Sequence, residues 1–243
     1  LNGPFPTERE DNVKTIGLIG GLSWESTAEY YRLINQEVNR RLGGFHSARI
    51  VIYSVDFEEE YRLHHAGAWG RTAANMAEAA RCLQAAGADL ILIGTNTVHK
   101  VAAEVAAAVD RPLIHIADVA AAAIKKQSLN RVALLGTRFT MTEDFYRGRL
   151  HDRHGLTVYV PEGQDAQIVD DAIYSELVKG IIRDQTRLDC LQVIQGLKAK
   201  GAEGVVLGCT ELPLLIKQEH LDIPVFDTTY LHAMAAVDAA LED

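Results

Sequence analysis

The chain of 243 residues carries 24 Lys and Arg against 33 Asp and Glu, a formal net charge of -9, and is 48% hydrophobic and 23% charged. That is the make-up of a soluble globular protein with ample chain to bury a core, as one large domain or two small ones. The acidic balance argues against a nucleic-acid surface, which needs clustered Lys and Arg, and no run of 18 apolar residues or signal-peptide pattern is present, so a cytoplasmic protein with no membrane or nucleic-acid partner is expected.

Residues 1–13 are polar, contain prolines and lack an initiator Met, and are expected to be an expression remnant or a loose tail. Residues 15–19 form a short apolar strand ended by Gly20 and Gly21. Ser26 followed by Glu29 is a capping-box pattern that predicts a helix to about Arg41, closed by Gly43 and Gly44. A strand over 48–54, an Ala-rich helix over 73–86 and a strand over 90–93 follow. Apolar residues at 98, 101, 102, 105 and 109 have the period of an amphipathic helix, and a fourth strand is expected over 113–116. The order then repeats. A strand over 132–135 leads to a helix capped by Thr140 with Glu143, a strand over 157–160, helices between 166 and 199, strands over 205–207 and 225–227, and a helix over 230–241.

The second half restates the first. Ile16 to Gly21 (IGLIGG) matches Val132 to Thr137 (VALLGT) at a spacing of 116, GADLILIGTNT from Gly87 matches GAEGVVLGCTE from Gly201 at 114, and Pro112 matches Pro224 at 112. A slowly drifting offset kept in order across three strands indicates two copies of one unit. Strand and helix alternate throughout, so the fold class is α/β, with two pseudo-symmetric, doubly wound parallel-sheet lobes and a cleft between them. The division expected is 14–117 plus 219–243 for lobe 1 and 118–218 for lobe 2. Ligands in such sheets sit beyond the carboxyl ends of the strands, where the repeat places Thr95 opposite Cys209.

Several motifs are absent or incomplete. Gly17, Gly20 and Gly21 do not fit GxGxxG and no phosphate-binding GxxxxGK[ST] occurs, so no nucleotide cofactor is expected. GLSWE lacks the final Gly of a nucleophile elbow, which leaves Ser23 as a loop or substrate-contacting hydroxyl. None of the nine histidines forms HExxH; His151 and His154 lie in a charged, wet stretch, and no metal is expected. The three cysteines lack CxxC spacing and imply reduced thiols. Cys82 and Cys190 lie in helix-like runs, where a thiol is usually a small buried hydrophobe. Cys209 follows a Gly-ended strand and precedes Thr210, Glu211 and Pro213. The amides of a helix start there are expected to lower its pKa toward neutrality, as nucleophile or general base, with an inert buried thiol as the plain alternative. Two strand-end loops facing each other across a cleft can present one group to each side of a bound carbon, which is what inverting a stereocentre by proton transfer requires. Asn96, Thr97 and Thr210 could hold the α-carboxylate there and stabilise a carbanion-like transition state without pyridoxal phosphate.

KTIGLIGGLSWEST at 14–27, GTNTVHK at 94–100, LLGTRFTM at 134–141 and GCTEL at 208–212 together resemble the aspartate/glutamate racemase superfamily of cofactor-independent enzymes, and within it the aspartate racemase and broad-specificity amino-acid racemase branch. The resemblance implies that Cys209 is the second catalytic cysteine and that Asn96, Thr97, Thr137 and Thr210 bind substrate carboxylates and amine. By the same resemblance Glu211 positions the loop or the substrate ammonium, Lys179 reaches the distal carboxylate, and the protein is a homodimer. Thr95 departs from the pattern, because it stands in the place of the first catalytic cysteine and a hydroxyl is far less acidic than a thiol. The expected activity is racemisation of a small amino acid such as aspartate or glutamate, with Cys209 and Thr95 on opposite faces. A one-cysteine decarboxylase or maleate-type isomerase of the same superfamily, and a non-catalytic small-molecule binder, are the alternatives.

Overall fold

The computed structural model describes residues 13–242, so nearly all of the expected tail at 1–13 lies outside the described residues. Seven strands, β1 (Ile16–Gly20), β2 (Ile50–Ser54), β3 (Leu90–Ile93), β4 (Arg131–Gly136), β5 (Thr157–Tyr159), β6 (Gly204–Gly208) and β7 (Val225–Asp227), form two wholly parallel sheets. Their orders are β2-β1-β3 and β5-β4-β6-β7. The central strands β1 and β4 are buried along nearly their whole length, the signature of parallel sheets covered on both faces. The α/β class and the two lobes are as the repeat implies.

The helices are α1 (Trp24–Leu42), α2 (Phe57–His65), α3 (Trp69–Ala85), α4 (Ala102–Ala107), α5 (Ile116–Lys126), α6 (Arg138–Thr142), α7 (Asp144–Asp152), α8 (Gly163–Asp171), α9 (Asp184–Ala199), α10 (Leu212–Leu215) and α11 (Thr228–Leu241). The two lobes exchange helices. Tyr30, Ile34 and Val38, spaced at one helical face of α1, pack with Ile16 and Leu18 against Ala233, Ala236 and Val237 of α11. In the other lobe Ile116, Ala117 and Ile124 of α5 pack on Val132 and Leu134 of β4. The chain thus crosses between lobes twice, and α5 and α11 lie against each other at the junction.

Several sequence expectations need correction. The segment 219–243 does not belong whole to lobe 1: β7 pairs with β6, Val205 opposite Val225, and only α11 returns to the first lobe. Its counterpart over 113–116 is reduced to a bridge between Leu113 and Ile91, because Ile116 already begins α5. The cap of α1 is Ser23, whose hydroxyl accepts from Ser26 N–H at 3.4 Å, and that of α6 is Thr137, which accepts from Thr140 N–H at 3.4 Å. In each case the cap lies three residues before the expected one. Cys82 is exposed, since α3 buries Met76, Ala79, Ala80 and Leu83 on its other face; Cys190 is buried.

The turn after β1 is sterically determined. Gly21 has φ +79°, and a Cβ there would stand 2.2 Å from the Val55 carbonyl oxygen. Ser23, buried and non-glycine, follows at φ 94°. Such a conformation is sparsely populated, and here it caps the start of α1 just beyond the carboxyl end of β1.

Candidate active site

The loops after β3 and β6 meet in a small cleft. Thr95, Asn96, Thr97, Thr137, Cys209 and Glu211 all line it. The pseudo-twofold relation is visible in its bonds. Thr97, two residues after Thr95, places its hydroxyl 3.0 Å from that of Thr137 in the second lobe. Glu211, two residues after Cys209, accepts at Oε1 from the Ser26 hydroxyl of the first lobe at 2.9 Å. Each lobe's reactive loop is therefore tied to the first helix of the other.

Thr210 and Lys179 do not line the cleft. Thr210 sits behind it, donating its hydroxyl to Glu211 Oε2 at 2.8 Å and lying 2.6 Å from the Ser26 hydroxyl. Lys179 is exposed on the single turn Leu177–Lys179; its neighbour Val178 points to the cleft instead.

Cys209 is 6% exposed, and its thiol donates to Glu211 Oε2 at 3.0 Å. The expected lowering of its pKa is reversed. Burial first, and the adjacent Glu211 carboxylate second, push the thiol well above its ordinary value. The amides of Glu211 and Leu212 act in the opposite direction, but α10 is only four residues long and offers little dipole. The resting group is a thiol whose proton points at a carboxylate. Glu211 in turn accepts three side-chain hydrogen bonds, which fix it relative to the sulfur.

Thr95 has its backbone pinned on both sides. Its N–H donates to Ile93 O at 2.8 Å, and its carbonyl accepts from His99 Nδ1 at 2.7 Å. His99 Nε2 accepts from Ile116 N–H at 3.2 Å, which settles the tautomer with the proton on Nδ1. Burial and the neighbouring His115 and His232 depress its pKa well below the usual value, so the imidazole is neutral. The chain crossing at α5 thereby holds the Thr95 loop.

Asn96 is buried, and its Nδ2 donates to Thr228 Oγ1 at 3.1 Å. The Thr228 hydroxyl spends its own proton on Leu207 O at 2.7 Å, so it can only accept from Asn96. The amide orientation follows, and Oδ1 is left buried without a partner among the described residues. An acceptor in that place suits an ammonium rather than a carboxylate. The remaining polar faces of the cleft belong to Ser23, His64 and Tyr174. His64 and Phe57 escaped the sequence reading because α2 was not expected. Asp56, which accepts from Glu58 N–H at 2.8 Å, followed by three Glu, was the N-cap signal that could have found it.

A two-lobed, pseudo-symmetric α/β protein with a buried thiol–carboxylate pair in a small cleft that Thr95 also lines has the layout of a proton-transfer enzyme. Residues 19–236 match the model of the Asp/Glu/Hydantoin racemase family, and the chain belongs to that family. A Yersinia pestis protein provisionally described as an Asp/Glu racemase is 49% identical, with 94% of this chain and 100% of that one covered and a TM-score of 0.89. An aspartate racemase homologue from Pyrococcus horikoshii is 36% identical over 94% and 100% of the two chains, with a TM-score of 0.81. The Picrophilus torridus aspartate racemase shares the fold, with 24% identity over 93% and 94% of the chains and a TM-score of 0.72.

Proposed function

We propose that the protein is a pyridoxal-independent racemase of a small acidic amino acid, aspartate or glutamate, working through Cys209 and Thr95 on opposite faces of Cα. The observation that carries this reading is the Cys209–Glu211 pair in a cleft that Thr95 also lines. When substrate enters, the thiol proton passes from Sγ to Glu211 Oε2, and the resulting thiolate removes the Cα proton. The carbanion, delocalised into the α-carboxylate, takes a proton on its other face from the Thr95 hydroxyl; the Thr95 alkoxide is reprotonated through water as Glu211 releases the proton it took from Sγ, which returns all three groups to their resting state. Thr97 and Thr137 supply hydroxyl donors to the α-carboxylate, and Asn96 Oδ1 accepts from the ammonium.

A hydroxyl can donate to a carbanion but is far too weak an acid to rest as an alkoxide near neutral pH. The equilibrium constant of a racemisation is one, so kcat/KM is the same for both enantiomers, and the mismatch between Thr95 and Cys209 is expected to appear as kcat and KM that differ in parallel, kcat being higher for the enantiomer whose Cα proton faces Cys209. The homodimer remains part of the proposal, supported by the exposed Ile52 and Tyr53 on the edge strand β2, and sedimentation tests it. Among the described residues no helix is long and apolar enough to cross a membrane.

Chiral chromatography of L- and D-aspartate, L- and D-glutamate and a panel of neutral amino acids tests the activity. Conversion of an acidic substrate is expected, with kcat at saturating substrate higher for one enantiomer and kcat/KM equal for both. Carbon dioxide release from malonates with no racemisation would assign the thiol to a decarboxylase instead.

A further inference from the structure

Among the described residues no Lys or Arg lines the cleft, and His64 is the only basic side chain that does. The side-chain carboxylate of an acidic amino acid thus meets no permanent cation there. His64, on α2, has unusual surroundings. Its Nε2 is buried and lacks a hydrogen-bond partner among the described residues, and so does Oε2 of Glu60, one turn earlier and 3.8 Å away. Glu60 is held by Asn75 of α3, whose Nδ2 donates to Oε1 at 2.7 Å. Trp69 stacks on the imidazole, with ring centroids 4.7 Å apart and planes within 7°. A neutral imidazole donates from one nitrogen, an imidazolium from both. With the Nε2 edge turned to Glu60, the Nδ1 edge is the one left for the cleft.

We infer that Glu60 and His64 form a proton-gated docking pair for the side-chain carboxylate of the substrate. As an acidic substrate enters, His64 takes one proton from solvent, donates from Nε2 to Glu60 and donates from Nδ1 to the substrate carboxylate. The amides asparagine and glutamine carry no charge to hold that proton in place. This inference rests on the amino-acid racemase reading and assigns the residue that makes the site selective for acids.

The groups facing His64 fit such a gate. On α2 they are Glu60 and His65. Lys100 stands 4.1 Å above the Trp69 ring and is ion-paired to Glu143, and Arg138 and Asp170 lie across a neighbouring cavity that His64 and Tyr174 also line. Burial, then His65, then Lys100 hold His64 at about 4 in the ligand-free protein, so it is neutral at pH 7. A bound carboxylate raises it. Affinity for the ionised side chain is then greatest at and below the ligand-free midpoint, and above it falls by up to about tenfold per pH unit until the midpoint of the complex is passed.

The test combines KM measured for aspartate, glutamate and their amides between pH 6 and 8 with calorimetry of aspartate binding in two buffers of different ionisation enthalpy. Wild-type protein is expected to take up about one proton per aspartate bound at pH 7 and none with asparagine. His64→Gln is expected to abolish the uptake and raise KM for aspartate about 10- to 100-fold, the worth of a charged hydrogen bond, with little change for asparagine. Glu60→Gln keeps the volume and the Asn75 bond and is expected to raise KM for aspartate about tenfold, which covers the case of a misfolded His64 variant. Undiminished proton uptake in His64→Gln, equal losses of kcat for acids and amides, or a larger KM effect from Arg138→Gln would each overturn the docking pair. Turnover indifferent to His64 leaves the racemase reading standing, whereas failure of wild-type protein to turn over any amino acid sinks that reading itself.

Discussion

Replacing Glu211 with Gln separates the two effects of its carboxylate on Cys209. The charge sits 3.0 Å from the sulfur in a fully buried position and opposes formation of a second negative charge. At a separation of ~4 Å and an effective dielectric of ~20, that repulsion is about 4 kcal/mol, equivalent to about three pH units in the thiol midpoint. Burial remains in the variant, so the midpoint falls without reaching that of an exposed thiol. The carboxylate is also the acceptor of the thiol proton, and its loss should slow Cα proton exchange even though the thiolate has become easier to form. The assay is the pH dependence of alkylation by iodoacetamide in a Cys82→Ser background, because Cys82 is exposed, while burial pushes Cys190 up to about 12 and keeps it silent. A midpoint lowered by one to three pH units together with slower exchange is expected. A midpoint that stays put or rises would refute the thiol–carboxylate pairing as the source of the high thiol pKa.

Gly21→Ala places a methyl 2.2 Å from Val55 O and 2.5 Å from Val55 N at φ +79°, and should destabilise the protein by about 2–5 kcal/mol in denaturant unfolding; a loss under about 1 kcal/mol would show that the turn is not tight. Burial depresses His232 to about 4, below its unfolded value of about 6.5, so between these pH values the unfolded chain binds the extra proton and stability falls on acidification. The loss due to this residue is about 2 kcal/mol at pH 5, and His232→Gln should reduce the stability difference between pH 7 and pH 5 by that amount; an unchanged difference would remove His232 from the acid response. In the proposed site Thr95→Cys opposes one thiol to another and should raise kcat at saturating substrate from the slower enantiomer more than from the faster one, which chiral chromatography measures directly. Equal changes in both directions would mean that Thr95 does not set the asymmetry.

The repeat made the sheets and the two reactive loops legible, because an apolar run followed by GTNT or GCTE is a local pattern. It could not say which sheet the last strand joins, since that depends on β7 meeting Pro224 and Val225 to β6 rather than on any local preference. Helix starts were displaced by three residues because Ser23 and Thr137 cap from loops whose φ and ψ are set by the turns after β1 and β4. The thiol pKa was misjudged for a related reason. A helix start was visible in the sequence, whereas the full burial of Cys209 and the folding back of Glu211 onto its sulfur are tertiary facts. Glu60 and His64 were invisible as a pair for want of α2, although their spacing of four residues is the separation that brings side chains together on one helix face.

Proton exchange through Cys209 is measured most directly by following the Cα proton of aspartate and glutamate in heavy water by NMR, for wild-type protein and Cys209→Ser. Wild-type protein should replace the Cα proton by deuterium, and Cys209→Ser should lose about 10²- to 10⁴-fold of that rate while keeping its fold. Exchange that survives the substitution, or folded wild-type protein that leaves every Cα proton in place, would contradict a catalytic role for the thiol.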